Sequence, residues 1–519
     1  MVGISAHVSE QMVARLVGRV VSTSSSLRDV RHAMTGEVLC QVPDACPADV
    51  ERAVAETRRV QEDWAQKPMS ERVRVFLRFH DLVLARQQEI LDLIQLENGK
   101  ARTHAFEEVL DVAMTCRYYA QVAGKLLAPV RVAGAFPVLT QTRVMRRPRG
   151  VVSVIAPWNY PLTLAISDAI PALIAGNAVV LKPDEKTPLC ALWAAALLEE
   201  AGLPEGLLQV VPGEGAVLGD ALVDGSDYVM FTGSTATGRK VAGKAGKRLI
   251  GCSMELGGKN ALILLEDADV SRAVSGAIRG CFSNTGQLCI SIERIYVPAT
   301  LWNEFVPAFV TATEKLRLGA GIDFSADVGS LISSEQLGRV QGHIRNAVAQ
   351  GATVLAGGNR REDIGPNFFE PTILTNVTEQ MTVYRQETFG PVVSLYRVES
   401  VDEAVELTNA SEYGLNASIW GQDIERAQEV AGRIHAGIVN INETYAAAWA
   451  SLEAPMGGMK SSGIGRRHGA EGLLKYTEAQ TIAIQRGLPV GQPNGVNPRL
   501  FGALATAGMK VLRRIPGKK

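Results

Sequence analysis

The sequence predicts an α/β protein built on open, mostly parallel sheets and divided into more than one domain. Three observations predict it. The chain has 519 residues, too long for one ordinary core. From Val151, short apolar runs alternate with helical stretches, the rhythm of strands covered on both faces. After Glu255 a second series of the same kind begins.

The elements follow in order. "VSTSSSLRD" (21–29) reads as a flexible lead-in. From about residue 48 the pattern is helical, with Val50, Val54 and Trp64, then Val73, Leu77 and Leu82, at helical spacing; Ser70 is the expected cap of the second helix. "FPVLTQTRVMRRPRG" (136–150) mixes β-formers with charge and reads as an exposed hairpin arm. "VVSVIAP" (151–157), "AVVLKP" (178–183), "LLQVVPG" (207–213) and "YVMFTG" (228–233) are predicted parallel strands, with a helix at 189–202 between the second and third. The second series comprises 261–266, 293–298, 353–358, 391–398 and 437–442. "GQPNGVNP" (491–498) is a linker. The helix expected beyond it sets Leu500, Leu504, Val511 and Ile515 on one face and carries only positive charges. A membrane-surface helix and a helix packed on a neighbouring subunit, or loosely ordered, are both open, and the second is favoured.

Composition excludes several classes. Lys and Arg number 53 against 54 Asp and Glu, which argues against a nucleic-acid binder. No window reaches membrane-spanning length, and no secretory signal is read at the N-terminus. The seven cysteines and the histidines lack metal-type spacing, so no metal site and a reducing cytoplasm are expected.

Five stretches carry chemistry. "FSNTGQLCISIERI" (282–295) puts Cys289 after a polar loop, between a helix end and a strand start, whereas a structural cysteine normally sits within an apolar run. "YVMFTGSTATG" ends a strand and opens a helix; Gly233, Ser234 and Gly238 suit a pyrophosphate, although an ordinary tight turn reads as well. Lys182 and Glu185 of "GNAVVLKPDEKTP" fall at a strand end, where they can hold ribose hydroxyls or form a solvated charged loop. Asn159 of "APWNYPL" is an oxyanion donor or a turn residue. Glu255 of "MELGGKN" is a base of raised pKa or a surface carboxylate.

In this order, and with "ETFGPV" (387–392) and "APMGGMKSSGIGR" (454–466), these motifs strongly resemble the aldehyde dehydrogenase superfamily over residues 35–487. The likeness extends to bacterial succinate-semialdehyde dehydrogenases of a divergent type with a long C-terminal tail. It implies an aldehyde dehydrogenase fold: an N-terminal lead-in at 1–34; a Rossmann-like dinucleotide-binding domain at 35–129 and 148–255; a catalytic α/β domain at 256–473; an oligomerisation arm at 130–147 and 474–487; and a basic amphipathic tail at 488–519.

By the same resemblance, Cys289 is the nucleophile, its thiol lowered by nicotinamide and backbone dipoles, and no partner histidine is required. Asn159 and the Cys289 N–H hold the oxyanion. Glu255 activates the water that frees a carboxylic acid; thioester-transferring relatives generally lack this glutamate. Trp158, Asn159, Gly233 and Ser234 lie along the cofactor. Lys182, Pro183, Asp184 and Glu185 lie at its adenine ribose, Leu256 by the nicotinamide and Glu387 on its ribose. NAD or NADP is implied, with NAD favoured because a carboxylate at 185 repels a 2′-phosphate.

The expected reaction is oxidation of succinate semialdehyde. The alternatives are a broader aliphatic or aromatic aldehyde, with Tyr160, Phe282, Tyr445 and Trp449 lining an apolar pocket, or, less favoured, a non-catalytic protein on the same fold. Two arginines that hold the remote carboxylate in such enzymes are replaced by Ser283 and by Ser167, beside Asp168. Arg467 is read as a surface residue, with a substitute cation as the alternative. A homodimer or homotetramer is expected, with peripheral membrane contact through the tail possible.

Overall fold

The computed structural model describes residues 5–135, 139–487 and 489–514. It divides into two units, Met1–Leu126 with Pro148–Tyr476, and Leu127–Arg147 with Thr477–Lys519.

The larger unit is built on two sheets. In the first, the fully buried strand Val151–Ile155 pairs in parallel with Ala178–Lys182 on one side and Tyr228–Thr232 on the other. Leu208–Val210 extends one side and Gly251–Glu255 the other, with the short Gly463–Ile464 antiparallel at the edge. Apolar residues fill Ala178–Lys182 almost without interruption because helices cover both faces. Strand order reverses between Val151–Ile155 and Tyr228–Thr232, which leaves a crevice at their carboxyl ends.

The second sheet has the order Thr353–Ala356, Thr372–Thr375, Val392–Val398, Ile292–Pro298, Asn260–Leu264, Asn416–Trp420, Ile438–Ile441. Five of these seven strands are readable in the sequence. Asn416–Trp420 is not, because it opens on a polar residue. That residue is buried and satisfied: its side-chain amide donates to the carbonyls of Ile290 and Thr444, each at 2.9 Å.

Three expectations about the N-terminal part are corrected. Residues 21–29 are tied down: Ser22 Oγ donates to the Asp44 carbonyl at 2.9 Å, Thr23 Oγ1 donates to Asp49 at 2.7 Å, and a strand runs Leu27–Arg31. Ser70 is not a cap, because the helix Met69–Ala85 starts one residue earlier, behind Pro68. That helix buries Val75, Phe76, Phe79 and Val83 and leaves Leu77 exposed, so the larger aromatic stripe wins the core.

In the smaller unit, Thr140–Pro148 lies between Thr477–Gln485 and Val130–Val132 in a three-stranded sheet. Residues 136–138 of the predicted hairpin lie outside the described residues. A helix runs Pro498–Leu512, and Ile515 lies outside the described residues.

Candidate active site

The crevice of the first sheet opens onto a cavity of about 190 Å3. Trp158 and Asn159 follow Val151–Ile155, Gly233 and Ser234 follow Tyr228–Thr232, and Glu255 ends Gly251–Glu255. These line the cavity together with Leu256, Cys289 and Glu387. Cys289 and Leu256 are more than thirty positions apart, and Glu387 lies further still; only the two sheets bring them together.

The loop that leads into Cys289 is held in an unusual shape. Asn284 and Thr285 adopt left-handed backbone angles, with φ of 49° and 58°. The Asn284 amide donates to the carbonyls of Asn159 (2.8 Å) and Gln287 (3.0 Å), while Gln287 Oε1 accepts from the Ile332 N–H at 2.9 Å. A Cβ at Gly258 would lie 2.6 Å from the Cys289 carbonyl, so only glycine lets these two loops approach so closely.

Asn159 is buried, and its side-chain amide donates to the Gln287 carbonyl at 3.1 Å. Its own carbonyl accepts from Lys100 Nζ at 2.7 Å. Lys100 is in turn paired with buried Glu108 at 2.7 Å, and Glu108 accepts the N–H groups of Leu162 and Thr163. This Lys–Glu clamp fixes the loop that carries Asn159. Nothing in the local pattern around "NGKAR" marks it, because the lysine reads there as a surface residue.

Glu387 accepts from the Gly258 N–H at 2.9 Å. The turn behind it is anchored by Glu293, which accepts from the N–H groups of Thr388 and Phe389 at 3.0 Å and pairs with buried Lys259. Phe389 packs edge-on to Trp158, with ring centroids 5.4 Å apart.

Burial dominates the electrostatics. It raises Glu255 to about 7, and Oε1 of that carboxylate is buried without a hydrogen-bond partner among the described residues. Burial likewise pushes the Cys289 thiol up to about 12, with Arg467 opposing it. The expectation of a lowered thiol is therefore not met by the protein alone: the Ile290 N–H and Arg467 are outweighed by loss of water.

Arg467 is not a surface residue. Its side chain is 11% exposed; Nη2 donates to Asp168 Oδ2 at 2.9 Å and to Thr232 Oγ1 at 3.1 Å. Lys475 also reaches Asp168, at 3.4 Å. Although burial opposes it, this pair of cations holds Asp168 below the usual carboxylate range. Arg467 is thus the largest positive influence on both Glu255 and Cys289.

Phe282 does not join the pocket. It stacks on Phe309 in the core beneath the second sheet, with centroids 6.2 Å apart. Tyr160, Tyr445, Leu164 and Met456 do form an apolar cluster, against which Cys289 and Trp449 pack. Ser283 lies at its margin and accepts from the Tyr445 hydroxyl at 2.9 Å. Ser167 donates to Asp111 at 2.5 Å.

The remaining predicted residues sit elsewhere. Lys182 is buried and donates to the Pro183 carbonyl at 2.7 Å; Asp184 bonds the Lys186 N–H. Glu185 pairs with Lys186 at 3.4 Å and lines a different cavity, with Arg28 and Ser334.

The sequence model of the Aldehyde dehydrogenase family matches residues 20–482. The chain is 52% identical over 491 residues to a protein of Mycolicibacterium smegmatis named "Putative succinate-semialdehyde dehydrogenase, NADP(+)", with 95% of each chain covered. A protein of Mycobacterium tuberculosis H37Rv, named in the same way with the suffix 2, is 51% identical over 492 residues, again with 95% of each covered. Among solved structures, betaine aldehyde dehydrogenase of Staphylococcus aureus in complex with NAD+ superposes with a TM-score of 0.87 at 32% identity, covering 94% of this chain and 99% of that one. PnpE of Pseudomonas sp. WBC-3 gives 0.87 at 34% identity, covering 92% and 97%. The chain belongs to the aldehyde dehydrogenase family.

Proposed function

We propose that this aldehyde dehydrogenase oxidises succinate semialdehyde to succinate through a thioester on Cys289. The observation that carries the chemistry is that Cys289, Asn159 and Glu255 line one cavity together with Ser234 and Glu387.

The cavity suits the nicotinamide end of a dinucleotide, and the adenine end would extend to Glu185 in the separate cavity. Ser234 caps the helix Thr235–Lys247, whose N-terminus faces the crevice, and Gly257 has no Cβ where one would fall 2.6 Å from Glu387. Trp158, Gly233, Ser234 and Leu256 would hold the cofactor's length, Glu387 its nicotinamide ribose, and Lys182, Pro183, Asp184 and Glu185 its adenine end. When bound, the nicotinamide would supply the hydride acceptor.

The Cys289 thiol first gives its proton to solvent, a step that burial makes costly. The thiolate then adds to the aldehyde carbon, and the carbonyl electron pair moves onto oxygen. The Asn159 amide and the Cys289 N–H stabilise that oxyanion. Its collapse expels the hydride, with its two electrons, and leaves a thioester. Glu255, uncharged for much of the time near neutrality, takes a proton from water when ionised. The resulting hydroxide adds to the thioester, the C–S bond breaks, and the acid leaves as the thiolate is restored.

Support for succinate semialdehyde comes from the names of the half-identical mycobacterial proteins. Arg279, one helical turn before Ser283 and 5.2 Å from the Tyr445 ring, would be the cation for the remote carboxylate, which would then compete with its present partners Glu107 at 3.3 Å and Glu443 at 3.7 Å. A second reading, a broader apolar aldehyde, is favoured by the Tyr160–Tyr445–Trp449 cluster. Those relatives are named for NADP(+), whereas Glu185 favours NAD; we propose NAD. We also propose a reducing cytoplasm, in keeping with seven free cysteines, and a homodimer or homotetramer assembled through the arm.

A panel of aldehydes run with each cofactor tests the assignment. kcat/KM highest for succinate semialdehyde with NAD supports it; a preference for benzaldehyde or hexanal replaces the substrate, and Cys289→Ser with undiminished turnover refutes the chemistry.

A further inference from the structure

The C-terminal helix Pro498–Leu512 has a face that the chain leaves in water. None of its residues is buried. Leu500 is 56% exposed, Leu504 63% and Val511 60%. At 100° per residue these three fall within a narrow arc, which Phe501 and Leu512 widen. Arg499, Lys510 and Arg513 occupy the opposite side, with Arg514 at its edge. The helix has Pro498 in its first turn and Asn497 capping the Arg499 N–H at 2.9 Å, so its start is well defined.

Charge decides between the candidate occupants. No Asp or Glu occurs from residue 479 to the last residue, while Arg486, Arg499, Lys510, Arg513, Arg514, Lys518 and Lys519 are all cationic. Pairing this helix with the same helix of a second copy would crowd like charges without a carboxylate to separate them. An anionic lipid surface meets both requirements. The apolar arc enters the acyl boundary and the basic flank stays among the headgroups. No helix among the described residues is long and apolar enough to cross a membrane, so such contact is peripheral.

We propose that this helix is a surface anchor for anionic membranes. The experiment is co-sedimentation of the full-length protein with vesicles of phosphatidylcholine alone or with a quarter phosphatidylglycerol. At least tenfold stronger partition onto the anionic vesicles is expected, with loss in half-molar salt. Two double variants are tested, L500D with L504D and R513E with R514E. Both should abolish partition while keeping the far-UV circular dichroism and thermal midpoint of the parent.

Equal partition onto both vesicle types, no partition, or partition that survives either double variant would overturn the proposal. If wild type does not partition and the leucine variant instead lowers the mass in light scattering, the face is a contact between copies and the proposal fails.

Discussion

Replacing Glu255 by Gln separates the two halves of the proposed reaction. The substitution is nearly isosteric, and the Oε1 it alters has no hydrogen-bond partner to lose among the described residues. In wild type the carboxyl titrates near 7 rather than at its ordinary 4.5, chiefly because it is buried. The ionised fraction is then about one-half at pH 7, about one-tenth at pH 6 and about one-hundredth at pH 5. Where thioester hydrolysis limits turnover, kcat should rise about tenfold per pH unit from 5 to 6 and level off above 8. Glu255→Gln should keep a stoichiometric burst of reduced nicotinamide and lose steady-state turnover by about 10²–10⁴-fold. Stopped-flow absorbance reads the burst, and intact mass reads the acyl adduct on Cys289.

Stability should move in the opposite direction. A glutamate whose folded pKa is raised opposes folding once pH exceeds its unfolded value, and the penalty is complete above its folded value. Between 4.5 and about 7 this amounts to about 3 kcal/mol. Glu255→Gln should therefore be more stable than wild type at pH 8 and equal to it at pH 4. Glu97, Glu387 and Asp111 are also raised into this range by burial, so the difference between variant and wild type is the readout. A difference that stays constant from pH 5 to 7, or a variant that turns over normally, would refute the assignment of Glu255.

Further outcomes are expected. Asn159→Ala should lower kcat by about 10²–10³-fold with little change in KM, as loss of one oxyanion donor does; an unchanged kcat would remove it from the site. Arg467→Gln takes away the main cation opposing the raised pKa of Glu255 and Cys289. The acid limb should shift above 7 and alkylation of Cys289 by iodoacetamide should slow; an unmoved limb would show that Arg467 only packs. Glu185→Ser should raise kcat/KM for NADP relative to NAD, and an unaltered ratio would place adenine-ribose selection elsewhere. Lys100→Met strands the buried Glu108 carboxylate and should lower unfolding stability by about 3–5 kcal/mol, measured by urea titration.

The sequence by itself carried the elements whose evidence is local. Buried parallel strands such as Val151–Ile155 are written as unbroken apolar runs because both faces are covered. The motif order around Asn159, Glu255 and Cys289 was readable for the same reason, since each sits in a short turn with its own glycines and polar residues. What escaped depends on partners far along the chain. Arg467 looks exposed until Asp168, 299 positions away, comes within 2.9 Å; Phe282 looks like a pocket wall until it stacks on Phe309. Periodicity likewise pointed to Val73, Leu77 and Leu82, whereas Met69–Ala85 buries Val75, Phe76, Phe79 and Val83. Helical and strand periods state that a residue has a face, whereas burial and charge pairing depend on what packs against that face. Only the folded chain supplies that partner, and with it the desolvation that brings Glu255 near 7.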